Sequence, residues 1–450
     1  MVTIIKNRSV IGTTKIRRQA LDIIEAGIEV VLPDRLVKTA VRFDEKRRIL
    51  FVHGDEFQIG DGRIFVVGGG KAGGAMAVAL EEILGPENIA AGVVSSKSAG
   101  CAAKKIDVIE AGHPIPDARG VHGVKRMFAL KTDHDIGEKD LVICLISGGG
   151  SALMPMPADG IPLEDKKEIT RLLLRCGADI HEINTIRKHI SMVKGGLFGK
   201  HFEPARVVSL IISDVIGDDM DVIASGPTIA DRSTFSDALL VIEKYELRKT
   251  IPRNVLDHLE AGARGEIPET PKKLSRTLNF IIGRNKTALE AMKKKATELG
   301  FNPVIVTDPL SGDTEKAAVI ICKKVFEKRY PGFDVIIAGG ETTPSLPEKA
   351  GRGGRNQHFT LVSLREMVRS PDGWLVASVG TDGSDYLPET AGAIVDDGTI
   401  KLVESPGLDI DSYISGFDSN GFFKKIGGCL IETGPTGTNV GDVMLLMENI

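Results

Sequence analysis

Short apolar runs alternate with longer stretches of helical spacing along most of the chain. The runs at 63–67, 90–95, 106–110, 140–146 and 206–212 are short and bounded by turn-forming or polar residues, which predicts buried strands. A first helix is predicted from Thr14 to Val31, ahead of these runs. Strand and helix patterns in strict alternation predict parallel sheet flanked by helices. A charged segment containing Pro and Gly, Leu259–Ser275, interrupts the pattern. The alternation then restarts with strands near 278–283, 302–306, 334–338 and 374–379, accompanied by helices at Asn285–Leu299 and Asp313–Glu327. A chain of 450 residues exceeds what one core usually supports. The interruption is therefore read as a boundary between an N-terminal α/β domain, 1–262, and a C-terminal α/β domain, 263–450.

One device recurs: an apolar strand ending in a loop of small residues. It occurs at Gly68–Gly74, at Ser147–Ser151, at Ser213–Asp219, at Gly339–Thr343 and at Gly380–Asp385. In open parallel sheets ligands bind outside the carboxyl ends of the strands, where such loops collect. Loops from both halves are expected to face one cleft.

The first loop carries the most specific signal. Gly68, Gly70 and Gly73 satisfy GxGxxG between a strand and a helix, and Gly69, Gly70 and the embedded Lys71 offer backbone N–H groups and a point charge to a phosphate. A dinucleotide site also needs an acid at the end of the next strand, which here ends in Ser95, Ser96 and Lys97. Lys71 is also not followed by Ser or Thr, so this is no Walker A loop. A surface lysine on a structural turn is the alternative. Ser147, Gly148, Gly149, Gly150 and Ser151 form a second candidate anion nest, or a tight turn packed on a helix.

Asn184, Arg187 and Lys188 fall within about one helical turn, and Lys194 leads into Gly195 and Gly196. Arginine's fork suits a carboxylate or phosphate, although a charged helix can equally be a solvated face. Asp214, Asp218, Asp219 and Asp221 follow one strand, and Asp382 and Asp385 follow another. Such carboxylates hold Mg²⁺ beside phosphates or take a hydroxyl proton, and some serve as caps. Glu341, Arg352, Arg355, Asn356 and Gln357 are read as parts of a long loop able to reach a transferring phosphoryl group. His113 is read either as a ligand-positioning side chain or as a packed one. No HxH or HxxxH pair suggests zinc.

Charge narrows the partners. The 57 basic and 61 acidic residues leave a net charge of −4, against a general nucleic-acid or anionic-membrane binder. Cys101, Cys144, Cys176, Cys322 and Cys429 are scattered and form no CxxC pair, which suits structural thiols in a reducing cytoplasm. No apolar stretch is long enough for a transmembrane helix and the N-terminus lacks a signal-peptide core, so a soluble, unprocessed chain is expected. Only three glutamines accompany many Lys, Arg, Glu and Ile residues, a bias of heat-adapted sources.

Taken together, VVGGGKAGGAMA, EAGHPIPD, LISGGGSALMPMP, INTIRKHIS with VKGG, IISDVIGDDMDVIASGPT, AGGETTP with GRGGRNQ, SVGTDGSD and TGPTGTNVGDV resemble the glycerate kinases that end in a MOFRL domain, a class formerly labelled hydroxypyruvate reductases. The likeness spans residues 66 to 443. It implies two three-layer α/β domains, the N-terminal one Rossmann-like and the MOFRL region at about 333–443, with an active-site cleft between them. It implies phosphorylation of D-glycerate by ATP with Mg²⁺; it does not fix the position phosphorylated, for which the class and the composition lean to 2-phosphoglycerate. The motifs can be fitted to that reaction. Lys71 and Arg355 neutralise the migrating phosphoryl group, and the Ser147–Ser151 nest with Asn184 and Arg187 holds a carboxylate or phosphate. Asp214 activates the hydroxyl or positions Mg²⁺. Lys194, Glu341, Asn356, Thr381 and Asn439 are further binding candidates, and Asp382 is a second Mg²⁺ candidate; Thr436 and Asp442 belong to the same tier. A homodimer is compatible with this reading. The competing classes are an NAD(P)H-dependent hydroxypyruvate reductase and a non-catalytic sugar-phosphate binder.

Overall fold

The computed structural model describes residues 3–98, 100, 103–370, 373–404 and 407–448. Among the described residues, sixteen strands follow in chain order. They are β1 (Val41–Asp44), β2 (Ile49–Val52), β3 (Asp55–Gln58), β4 (Ile64–Gly69), β5 (Ile89–Ser96), β6 (Ile106–Glu110), β7 (Leu141–Ser147) and β8 (Arg206–Ile212). After them come β9 (Thr277–Gly283), β10 (Pro303–Ile305), β11 (Leu310–Asp313), β12 (Val335–Thr343), β13 (Trp374–Gly380), β14 (Gly392–Asp396), β15 (Leu430–Ile431) and β16 (Asp442–Glu448). The chain divides into two units, Pro33–Gly283 and Met1–Leu32 with Arg284–Ile450.

In the Pro33–Gly283 unit, six parallel strands lie in the order β6-β5-β4-β7-β8-β9. The chain winds outward from β4 to β6, returns to the other side of β4 with β7, and winds outward again. The strand order therefore reverses between β4 and β7, the place where doubly wound sheets bind ligands. On one face, Phe65, Val67, Val142, Cys144, Ile146 and Val207 pack with Val124, Met127, Phe198 and Phe202. The helix Gly73–Leu84 packs against β4, β5 and β7. A separate apolar cluster, including Ile169, Leu173, Ile186, Ile242, Val255 and Leu259, joins the helices Leu163–Arg175, Ile180–His189, Phe235–Lys244 and Arg253–Ala263 into a helical layer. Capping boxes fix two of its helix starts, Asp179 with Glu182 and Thr234 with Asp237.

The second unit holds a mixed sheet rather than the parallel one that its alternation suggests. Its order is β10-β12-β16-β13-β14-β15, with β11 also on β12, and β16 runs antiparallel between β12 and β13. The chain passes from β15 to β16 through residues 432–441 without a helix, so no helical crossover obliges β16 to run parallel. Ile336, Ala338, Val376, Met444 and Leu446 pack on one face with Ile321 and Phe359. Helices Lys15–Val30 and Asn285–Glu298 pack on each other and against this sheet.

Two features move the boundary away from 262/263. The strand expected to open the C-terminal domain instead completes the first sheet as β9, with Val207–Ile212 as its parallel neighbour. The N-terminal helix belongs to the second unit. It buries Ala20, Leu21, Ile24, Gly27 and Ile28 there, and a Cβ on Gly27 would stand 2.6 Å from Met292 Cγ, so the two helices approach too closely for a larger residue. Buried Arg17 binds Asp396 with Nε–Oδ2 at 2.7 Å and Nη2–Oδ1 at 2.8 Å. Cys144, Cys176, Cys322 and Cys429 are free thiols, and Cys101 lies outside the described residues. Burial pushes the Cys322 thiol up to about 12. Among the described residues no helix is long and apolar enough to cross a membrane.

Candidate active site

The two glycine loops at the reversal point clasp one another. Lys71 N–H donates to Gly148 O at 2.8 Å, and Ala72 N–H donates to Ser147 Oγ at 3.0 Å. Gly70 adopts φ +153°, where a Cβ would fall 2.1 Å from Ser147 Oγ, so only glycine lets the loops close. Gly148 is excluded from carrying a side chain for another reason: a Cβ would lie 1.9 Å from Asp214 Oδ2. The Asp214 carboxylate, on the loop after β8, thus rests against the nest. A Cβ on Gly149 would stand 2.8 Å from the His113 ring and 3.1 Å from Lys71 Cγ, which sets both side chains beside the same glycine. Gly69, Gly70, Lys71, Ser147 to Ser151 and Asp214 are therefore one cluster, built by adjacent strands β4, β7 and β8.

Beside this cluster lies a cavity of about 600 Å³, walled by Gly149 and Ser151, by the loop following β6 and by the helical layer. Lys166, Arg187 and Lys194 line it. Lys166 is 5 % exposed and Lys194 1 % exposed. Lys166 Nζ donates to Met156 O at 3.3 Å, and Lys194 Nζ donates to Ser151 Oγ at 2.9 Å and Ser151 O at 3.2 Å. Among the described residues none of the three cations has a carboxylate within ion-pair distance. Burial, reinforced by the Arg187 charge, pushes Lys166 down to about 7. Burial, with the charges of Lys166 and Arg187, holds Lys194 well below the usual lysine range. Burial lowers Arg187 as well.

Asn184 stands behind the wall. Its Oδ1 accepts from Ser225 Oγ at 2.9 Å, and Ser225 Oγ lies 2.7 Å from Ser151 Oγ. Asn184 Nδ2 is buried with no partner among the described residues. Lys188, on the same helix as Arg187, turns the other way and binds Asp221 at 2.5 Å and Asp231 at 3.1 Å, which ties the acidic loop to the helical layer. Among the described residues no group of three or more His, Cys, Asp or Glu side chains could hold a metal ion.

The remaining predicted residues gather in the second unit. Helix Arg355–Met367 begins at Arg355, so Arg355, Asn356 and Gln357 are helical rather than parts of a long loop. The signal missed is a cap brought from outside: Asp385 accepts from Asn356 N–H at 2.9 Å and Gln357 N–H at 2.8 Å. Burial raises Asp385 above the usual carboxylate range against these bonds. Arg355 binds Asp442 through Nε at 2.6 Å and Nη2 at 3.0 Å, and Glu341, at the end of β12, through Nη1 at 2.6 Å. Burial pushes Asp442 up to about 6 in opposition to Arg355. Asn356 Nδ2 reaches Asp442 Oδ1 at 3.1 Å. Thr381 Oγ1 donates to Gly441 O at 2.6 Å and accepts from Val440 N–H at 3.0 Å. Asp382 Oδ1 accepts from Ser384 N–H at 3.0 Å, and Asn439 Oδ1 from Gly441 N–H at 3.1 Å.

Lys166 is the residue that sequence reasoning missed. It sits in a charged helix next to half-buried Lys167, and nothing local separates the two.

Comparison with known proteins finds two matching regions, whose bounds do not coincide with those of the two structural units. The family described as a domain of unknown function (DUF4147) matches residues 19–260, and the MOFRL family matches residues 334–442. A glycerate 2-kinase of Pyrococcus horikoshii is 42 % identical over 437 residues, covering 96 % of this chain and 97 % of that protein. A putative hydroxypyruvate reductase of Agrobacterium vitis is 38 % identical, covering 86 % of this chain and 99 % of its own length. The crystal structure of a glycerate kinase from Thermotoga maritima superposes with a TM-score of 0.83 at 37 % identity, covering 96 % of this chain and 99 % of that one. The chain belongs to the family of glycerate kinases that joins a DUF4147 region to a MOFRL region.

Proposed function

We propose that the protein phosphorylates D-glycerate with ATP to give 2-phosphoglycerate. The observation that carries this reading is the clasp of the two glycine loops at the strand-order reversal, with Lys71 beside Gly149 and the Asp214 carboxylate against Gly148. Kinship with proteins named glycerate 2-kinase supports the substrate and the position phosphorylated.

In the transfer, the bond between the γ-phosphorus and its bridging oxygen breaks, the glycerate hydroxyl oxygen bonds to that phosphorus, and ADP leaves. Such a transition state asks for placement and charge neutralisation more than for covalent help. Lys71 supplies positive charge to the migrating group, and the backbone of Ser147 to Gly150 orients it. Asp214 takes the hydroxyl proton. Arg355, already braced by Asp442 and Glu341, is the second cation proposed for the phosphoryl group. Mg²⁺ is bound by one or two carboxylates with phosphates and water completing its shell, so a single carboxylate at a phosphate loop fits it. Asp214 would be that carboxylate in the alternative in which it does not take the hydroxyl proton, and Asp382 is proposed as another of the same kind. When bound, the ion neutralises phosphate charge.

The reductase alternative lacks its recognition acid: β5 closes on Ser95 and Ser96, both buried. The deciding experiment incubates the protein with D-glycerate, ATP and Mg²⁺ and identifies the product by phosphorus NMR. A 2-phosphoglycerate resonance is expected. Hydroxypyruvate-dependent oxidation of NAD(P)H without ATP would overturn the proposal.

A further inference from the structure

The cavity beside the glycine loops is large for a three-carbon acid. Its volume of about 600 Å³ is in the range that encloses drug-sized ligands. Its two kinds of wall describe the ligand further. Lys166, Arg187 and Lys194 enter it from the helical layer and the segment after it, with no carboxylate paired to them among the described residues. Three cations gathered in partly dry surroundings repel one another, and a ligand that relieves them must carry several negative charges. A monocarboxylate brings one; a triphosphate brings enough for all three. Lys167, Arg171, Thr170 and His113 also line it, the first two paired with Glu164 and Glu168, and much of the remaining wall is apolar and exposed. Ile115, on the loop after β6, is 69 % exposed, and Leu174, on the helix Leu163–Arg175, is 62 % exposed, yet both line this cavity, together with Pro114, Pro116 and Pro155. Large apolar side chains left in water around a polar floor mark a binding site for something with an apolar part.

We propose that this cavity is the nucleotide site, with the triphosphate of ATP held by Lys166, Arg187 and Lys194 and the purine covering Ile115 and Leu174. The assignment rests on the kinase reading and deepens it by placing the phosphoryl donor. Gly149 and Ser151 line the cavity, and Gly149 is the residue against which Lys71 lies, so the triphosphate tail ends beside the cation that receives the migrating group. The depressed affinity of Lys166 for its proton accords with a site awaiting an anion.

The test measures binding of a non-hydrolysable ATP analogue with Mg²⁺ to the full chain by calorimetry, apart from turnover. Leu174→Asp changes an exposed residue and is expected to fold as the parent does, and its analogue affinity is expected to fall about tenfold or more. Lys166→Met is expected to weaken both the analogue and inorganic tripolyphosphate, whereas Leu174→Asp leaves tripolyphosphate binding unchanged. In steady state, both variants raise KM for ATP and leave KM for D-glycerate within about threefold of the parent. Parental analogue binding in Leu174→Asp overturns the proposal, as does a defect confined to KM for D-glycerate, which would make the cavity the acid site of a genuine kinase. If the parent chain transfers no phosphate to D-glycerate yet binds the analogue with this sensitivity to Leu174 and Lys166, the nucleotide site stands and the kinase reading falls.

Discussion

At the scale of single residues, the Pro33–Gly283 unit contains two lysines with opposite consequences. Lys71 is half-buried beside the glycine nest, and in the proposed reaction it supplies charge to the migrating phosphoryl group. Lys71→Met is expected to lower kcat by about 10² to 10³, the loss typical of removing one preorganised stabilising group, with an unchanged circular-dichroism melt. Lys166 works the other way. Its proton affinity is depressed to about 7 by burial and by Arg187, so the ligand-free fold is penalised whenever this lysine is charged. Below about pH 7 both folded and unfolded chains carry the charge and the penalty is complete. Between that pH and the usual lysine range the unfolded chain holds the extra proton, so stability rises with pH. Lys166→Met is accordingly expected to stabilise the ligand-free protein by about 1 to 4 kcal/mol at pH 6, with the gain shrinking toward pH 10, as read by urea unfolding at the two pH values. Stability given up for binding is a familiar pattern at functional sites. Lys71 was legible in the sequence because it interrupts a glycine fingerprint. Lys166 was not, because its burial is made by packing of the helical layer, and its neighbour Lys167 has the same local context.

At the scale of elements, apolar runs located β4 to β9 to within a residue or two, most plainly β4, β7 and β8, whose burial on both faces leaves an uninterrupted signal. β14, β15 and β16 were not anticipated. β15 spans two residues, and β16 owes its place to pairing with β12 and β13 rather than to any local cue. The start of the helix at Arg355 was also hidden, because its capping carboxylate, Asp385, lies 28 residues from Gln357 in sequence. The N-terminal helix was visible, with Thr14 as its cap, but its partners were not. Its partners are the helix Asn285–Glu298 and, through Arg17 and Asp396, β14. Burial raises the Asp396 carboxyl, and the bonds and charge of Arg17 outweigh this and hold it below the usual carboxylate range. Arg17→Ala is therefore expected to destabilise the second unit by about 3 to 5 kcal/mol at pH 7, because it strands a buried charge. The loss should diminish as pH falls through the carboxylate range and Asp396 takes a proton in both states. Guanidinium unfolding at pH 7 and pH 4 would show the difference.

At the scale of the whole molecule, the boundary expected near 262 gives way to a discontinuous division. Composition marked Leu259–Ser275 because it is polar and turn-rich, but such a segment also suits a surface connection inside one unit, here between the helix Arg253–Ala263 and β9. Residues 33–283 contain a complete parallel sheet with its helices, and this fragment alone is expected to melt cooperatively. Residues 284–450 alone lack the helix that covers the apolar face shared by Leu21, Ile24 and Ile28, and are expected not to. Adding a peptide of residues 1–32 in trans should restore a cooperative melt by circular dichroism, and failure of the peptide to do so would contradict the division.

The same discontinuity sets a schedule for synthesis. The N-terminal helix leaves the ribosome first, and its partners Asn285–Glu298, β13, β14 and β16 come last. At about 5 to 20 residues per second, the roughly 250 residues to Asn285 take about 13 to 50 s and the roughly 410 to β16 take about 20 to 80 s. Through that interval an amphipathic segment waits with its oily side uncovered while the intervening unit folds, so the nascent chain offers chaperones a handle that the finished protein no longer shows.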